Sequence, residues 1–84
     1  MPLISSFYGI YIKMYFQKKE HNPPHFHVIY GEYTGEIDIQ TLEMLEGDLP
    51  AKVLELVKLW ASIHQKALLK ICLTQEFIKL PPLI

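Results

Sequence analysis

The chain has no arginine. Its positive charge comes from eight lysines set against nine acidic residues, a net charge of −1 at neutral pH. Without arginine there is no planar guanidinium fork to grip phosphate or carboxylate in bidentate fashion. The global balance also excludes a broad basic footprint, so any nucleic-acid role must rest on a local patch. There is one cysteine, Cys72, which excludes an intrachain disulfide. No apolar run approaches the ~20 residues of a membrane span, and no charged and hydrophobic leader opens the sequence. A cytosolic protein without membrane contact is the expectation. Glycine-rich phosphate loops, nucleophile elbows, internal repeats and low-complexity tracts are all missing, which removes the common nucleotide-binding and serine-hydrolase classes.

What is present argues for a packed core. Half of the residues are apolar and ten of the 84 are aromatic, too rich a complement for disorder. This length makes one domain, residues 1–84. A chain of this size buries only about 60 to 65 per cent of its unfolded surface, so its stability margin is thin.

The densest chemistry lies in His21-Asn22-Pro23-Pro24-His25-Phe26-His27-Val28, which holds three of the four histidines. Asn-Pro and Pro-Pro are turn signals. The alternating run after them, residues 25–30, reads as a strand. Alternation places His25, His27 and Ile29 on one face and Phe26, Val28 and Tyr30 on the other. Neighbours two apart on a strand lie roughly 6.5 to 7 Å apart, so both imidazoles approach one common partner.

The rest of the chain is read around that strand. Residues 1–8 read as a lead-in. A first strand is expected over 9–17, with Ile10, Ile12, Met14 and Phe16 opposite Tyr11, Lys13 and Tyr15. Gly31-Glu32 supplies a tight hairpin turn. A third strand follows over 33–39, turning Tyr33, Ile37 and Ile39 one way and Thr34, Glu36 and Asp38 the other. A turn or short hairpin across 41–47, with Met44 and Leu45 as strand residues, completes a sheet over 9–47. One long helix is expected over 49–72, with Asp48 as N-cap and Pro50 in the first turn. Its stripe is Val53, Val57, Trp60, His64, Leu68 and Ile71. The apolar segment 77–84, with Pro81-Pro82, reads as an arm that docks on this domain or on a second copy, which raises a homodimer. The predicted class is α+β: a small antiparallel sheet of three to four strands with one amphipathic helix on one face.

The helix stripe needs an apolar partner, and only one side of the sheet offers it. The opposite side then collects Tyr11, Lys13, Tyr15, His25, His27, Glu36 and Asp38. Three readings follow. In the first, His25 and His27 do general acid–base work without a cofactor, Lys13 steadies a phosphate, and Tyr11 and Tyr15 contact bases. His21, Asn22, Glu36 and Asp38 complete the binding surface, and Tyr15 joins the catalytic set. In the second, His25 and His27, joined by His21 or by a carboxylate of the third strand such as Asp38, hold a divalent metal such as zinc or manganese. In the third, the histidines are partly exposed strand residues that hydrogen-bond the rigid turn. Elsewhere the plain readings are preferred: His64 is a boundary histidine, Trp60 anchors the helix, Cys72 is a buried thiol, and Glu43, Glu46 and Asp48 form a solvated acidic loop.

The run Phe7-Tyr8-Gly9-Ile10, then Met14-Tyr15-Phe16, then the histidine stretch resembles domain-of-unknown-function family 4160. Ile37-Asp38-Ile39, Leu45-Glu46-Gly47, Leu49-Pro50 and Trp60 follow that family's pattern in the same order, so the resemblance spans about residues 2 to 70. It implies a small bacterial protein, often encoded beside a member of domain-of-unknown-function family 2442, the two proposed as a toxin–antitoxin pair with this type as the toxin. Where Lys13 stands the family usually has a basic residue, often arginine. The expectation is a toxin acting on RNA or translation through the His25/His27 face. The alternative is a non-enzymatic interaction module.

Overall fold

The computed structural model describes residues 3–15 and 24–83. Five strands, β1 (Leu3–Phe7), β2 (Ile10–Lys13), β3 (His25–Tyr30), β4 (Tyr33–Asp38) and β5 (Met44–Asp48), precede two helices, α1 (Ala51–Ile63) and α2 (Gln65–Thr74). Each strand pairs antiparallel with the next, in the order β1-β2-β3-β4-β5. A meander of consecutive antiparallel strands followed by helices is an α+β architecture.

The predicted apolar face is the buried one. Ile10, Ile12, Phe26, Val28 and Ile37 are wholly buried, together with Val57, Trp60 and Leu68 from the helices. Trp60 is at the centre: its ring lies 5.8 Å from that of Phe7 and 6.0 Å from that of Phe26. Its indole N–H donates to the carbonyl of Pro81 at 2.8 Å. The C-terminal arm therefore docks on its own domain, and the Leu80 N–H donates to the Ile4 carbonyl of β1 at 2.8 Å.

Several expectations need correction. Residues 3–7 are a strand, not a lead-in. They fold back on β2 through Tyr8-Gly9, whose φ values of 52° and 76° are those of a tight hairpin turn. The strand expected over 9–17 ends at Lys13, while Met14 stays in the core; Phe16, Gln17 and the connection to Pro23 lie outside the described residues. The sheet has five strands because residues 44–48 form a full edge strand, and Glu46 and Asp48 belong to it instead of to a loop. Asp48 is thus not the helix N-cap; Pro50 takes that position, with no side-chain cap bond.

The single long helix is two. It breaks at His64, whose N–H is shared between the carbonyls of Trp60 and Ala61, both at 3.2 Å. Two side chains account for the break. The Ser62 hydroxyl donates back to the Leu59 carbonyl at 2.7 Å, competing for the backbone. The Gln65 amide donates to the carbonyls of Ile39 and Gln40 at 2.7 and 2.9 Å, tying the start of α2 to the end of the sheet. The apolar stripe crosses the break, since Val57, Trp60, Leu68 and Ile71 are all buried.

Gly47 is the least replaceable residue of the edge strand. Its φ of 108° is strained for any L side chain, and a Cβ there would run into the Thr34 carbonyl and the Gly35 Cα. Gly47→Ala is expected to cost about 2 to 4 kcal/mol through backbone strain and overpacking together. In a domain this small each kcal/mol lowers the melting temperature by about 4 to 8 °C, so thermal unfolding followed by circular dichroism measures it directly.

Candidate functional site: the histidine face of the sheet

Strand β3 positions the site. Phe26 and Val28 are wholly buried, which obliges His25 and His27 to point to the other side. Registers across the sheet then set the neighbours. Lys13 stands opposite His27, His27 opposite Glu36, and Glu36 opposite Glu46, so one row runs from β2 to β5. His25 stands opposite Asp38 in the next row.

The imidazoles of His25 and His27 meet edge to face, with ring centroids 5.3 Å apart. Tyr15 packs perpendicular to His27 at 4.3 Å and walls the other side. The His25 Nε2 lies 3.5 Å from the Glu36 Oε1, an ion pair when His25 is protonated. Burial is the main influence holding the His27 imidazole below its ordinary pKa; the Glu36 carboxylate opposes it and His25 adds to it. His27 is therefore neutral at pH 7, with a ring nitrogen available as acceptor or ligand. Beside it lies a shallow hollow of about 260 Å³ bounded by Tyr15, Thr34, Glu36 and Glu46. A larger hollow of about 580 Å³ lies at Tyr33, Thr34 and Asp48, with no imidazole among the described residues that line it.

The residues expected on this face divide into two groups. His25, His27, Tyr15 and Glu36 come together, with Lys13 across the strand and Tyr11 exposed on the same side. Asp38 does not join them as a ligand. It is buried, and its Oδ1 accepts the backbone N–H groups of Gln40 and Thr41 at 2.7 and 3.0 Å, closing the turn after β4. Glu36 takes the place beside the imidazoles that alternation alone left open between the two carboxylates. His21 and Asn22 lie outside the described residues. His64 is far from this chemistry, stacked at 5.1 Å on Trp60 in the helix layer. Cys72 is half-buried, and that burial pushes its thiol pKa up, which makes it unreactive. Glu46 was not among the expected site residues; its membership depends on β5 being a strand in register with β4.

Among the described residues, no helix is long and apolar enough to cross a membrane. The family described as a domain of unknown function, DUF4160, matches residues 9–71. No curated protein and no solved structure matches the chain.

The His27 environment has a consequence for stability. Its pKa is lower in the folded chain than the ordinary value of about 6.5 that applies once unfolded, so between the two values the unfolded chain binds more protons. This contribution is absent above pH 7 and destabilises progressively as the pH falls below about 6.5. His27→Gln is expected to flatten the pH dependence of the denaturant midpoint between pH 7 and 5 relative to wild type. Unchanged pH dependence would show that His27 is not desolvated.

Proposed function

We propose that this chain, which belongs to the DUF4160 family of domains of unknown function, is the toxin half of a bacterial toxin–antitoxin pair that cleaves RNA through its histidine face. The observation that carries the reading is the pair of imidazoles at 5.3 Å on the side of the sheet turned away from the helices. General acid–base cleavage needs one group to take a proton and another to give one on the same substrate. His27, held neutral by burial, takes the proton of a ribose 2′-hydroxyl. The freed 2′-oxygen attacks the adjacent phosphorus to form a 2′,3′-cyclic phosphate. The P–O5′ bond breaks, and the leaving 5′-oxygen takes a proton from His25, whose Nε2 stands 3.5 Å from the Glu36 carboxylate. Lys13, across from His27, faces the phosphate charge.

The acidic row shapes how RNA would bind. Among the described residues, Glu36, Glu46 and Asp48 stand along these rows of the sheet against Lys13. Affinity then comes chiefly from bases stacking on tyrosines such as Tyr11, which is 46 % exposed, and less from phosphate neutralisation. The salt dependence of binding is accordingly shallow. The cognate antitoxin, a protein resembling domain-of-unknown-function family 2442, would cover this face.

One observation favours a second reading, a non-enzymatic interaction module. Tyr33 and Leu45 are each 45 % exposed near the open β5 edge, surface that suits a protein partner as well as a base. Purified protein incubated with a single-stranded transcript in EDTA separates the two. The toxin reading predicts fragments ending in 2′,3′-cyclic phosphate, with the rate falling at least about 100-fold in His25→Gln/His27→Gln of unchanged melting temperature. Intact transcript, with antitoxin binding lost in the same variant, supports the module instead.

A further inference from the structure

The same three side chains meet a second requirement, one that no acid–base argument uses. Ring nitrogens of His25 and His27 and a carboxylate oxygen of Glu36 all lie within 4.8 Å of one another, on two hydrogen-bonded strands. We propose that these three residues form a site for a late first-row divalent metal ion of the zinc class.

Geometry supports this first. Zinc bound at about 2.0 to 2.1 Å in a tetrahedral site separates its ligand atoms by about 3.3 to 3.5 Å. The His25 Nε2 and the Glu36 Oε1 already stand 3.5 Å apart. From separations of at most 4.8 Å the atoms must close by no more than about 1.3 to 1.5 Å, shared between side chains through small torsions within one rotamer well. The backbone need not move, because His27 and Glu36 are direct cross-strand partners and their side chains leave the sheet together.

The donor set then selects the ion. Two imidazoles and one carboxylate match zinc and its neighbours, whereas magnesium and calcium take oxygen ligands almost throughout. Three protein ligands leave the outward position to water, the arrangement of open sites in contrast to closed four-ligand structural ones. Field argues the same way. Glu36 supplies a negative charge to the site and Glu46 and Asp48 extend it along β5, with Lys13 opposite His27 offsetting part of it, so a cation beside Glu36 meets net attraction. Tyr15 shields His27 on one side without adding charge. Asp38 is not a ligand, since its carboxylate already caps a turn.

The inference does not depend on RNA cleavage. An imidazole nitrogen that ligates a metal cannot also carry a proton, so metal-bound and acid–base states of this face exclude one another. Calorimetric titration of EDTA-stripped, dialysed full-length protein with ZnCl2 reads binding without any activity assay. The expected result is one zinc per chain, a raised melting temperature, and no competition from excess MgCl2. Glu36→Gln is expected to weaken binding by at least about tenfold, and His25→Gln/His27→Gln to abolish it at that stoichiometry. Circular dichroism checks that each variant is folded. No zinc binding by wild type, or unchanged affinity in the folded double variant, overturns the proposal, the second by placing the ion on other groups. Should the double variant not fold, Glu36→Gln decides alone, and unchanged affinity there overturns the site.

Discussion

The burial of Phe26 and Val28 is the constraint on which the rest depends. Both side chains are wholly sequestered beneath the helices, where each contributes about 1.5 to 3 kcal/mol relative to exposure. A slip of one residue in β3 would exchange them for His25 and His27, exposing two large apolar groups and burying two imidazoles. That cost is comparable to the total stability of a domain of this size, for which about 4 to 12 kcal/mol is typical. The register of β3 is therefore fixed by its inner face, and the outer face inherits its chemistry from that choice.

The second layer serves this arrangement. Trp60 contacts Phe7 and Phe26 from above and receives the C-terminal arm through its bond to Pro81, so one side chain links the first strand, the histidine strand, the helix and the tail. The Gln65 amide holds the second helix to the loop after β4, and Asp38 closes that same loop from within. Glu36, two residues before Asp38 on β4, is thereby presented at a defined height beside His25. Its side chain is 32 % exposed against 13 % for His25, so solvent weakens the ion pair and leaves the carboxylate able to turn toward another ligand.

Much of this was legible in residue alternation. Ile10, Ile12, Met14, Phe26, Val28, Ile37 and Ile39 were expected on the buried side and are there, because period-two patterning reports directly on which face a strand buries. The first hairpin was not legible. Its turn places Tyr8 at positive φ, where asparagine or aspartate is the usual signal. The last strand was obscured because Leu45, Glu46 and Asp48 are exposed and Gly47 interrupts the pattern, leaving no buried face to read. The helix break leaves no mark in the pattern, since the apolar stripe continues through it and the bonds of Ser62 and Gln65 form only in the fold. The choice of Glu36 over Asp38 beside the imidazoles was likewise beyond alternation, which puts both on one face. It is decided by the turn that occupies Asp38, a local backbone demand with a strong residue preference but no unique sequence mark.

The central claim is that the outer face of β3, and not the helix layer or the tail, is where this protein acts. Induced expression in a bacterial host tests it most directly, comparing wild type with His25→Gln/His27→Gln at matched protein level and melting temperature. The account predicts growth arrest by the wild type and normal growth with the variant. Equal arrest by both proteins would contradict it, since the toxic surface would then lie away from the two imidazoles.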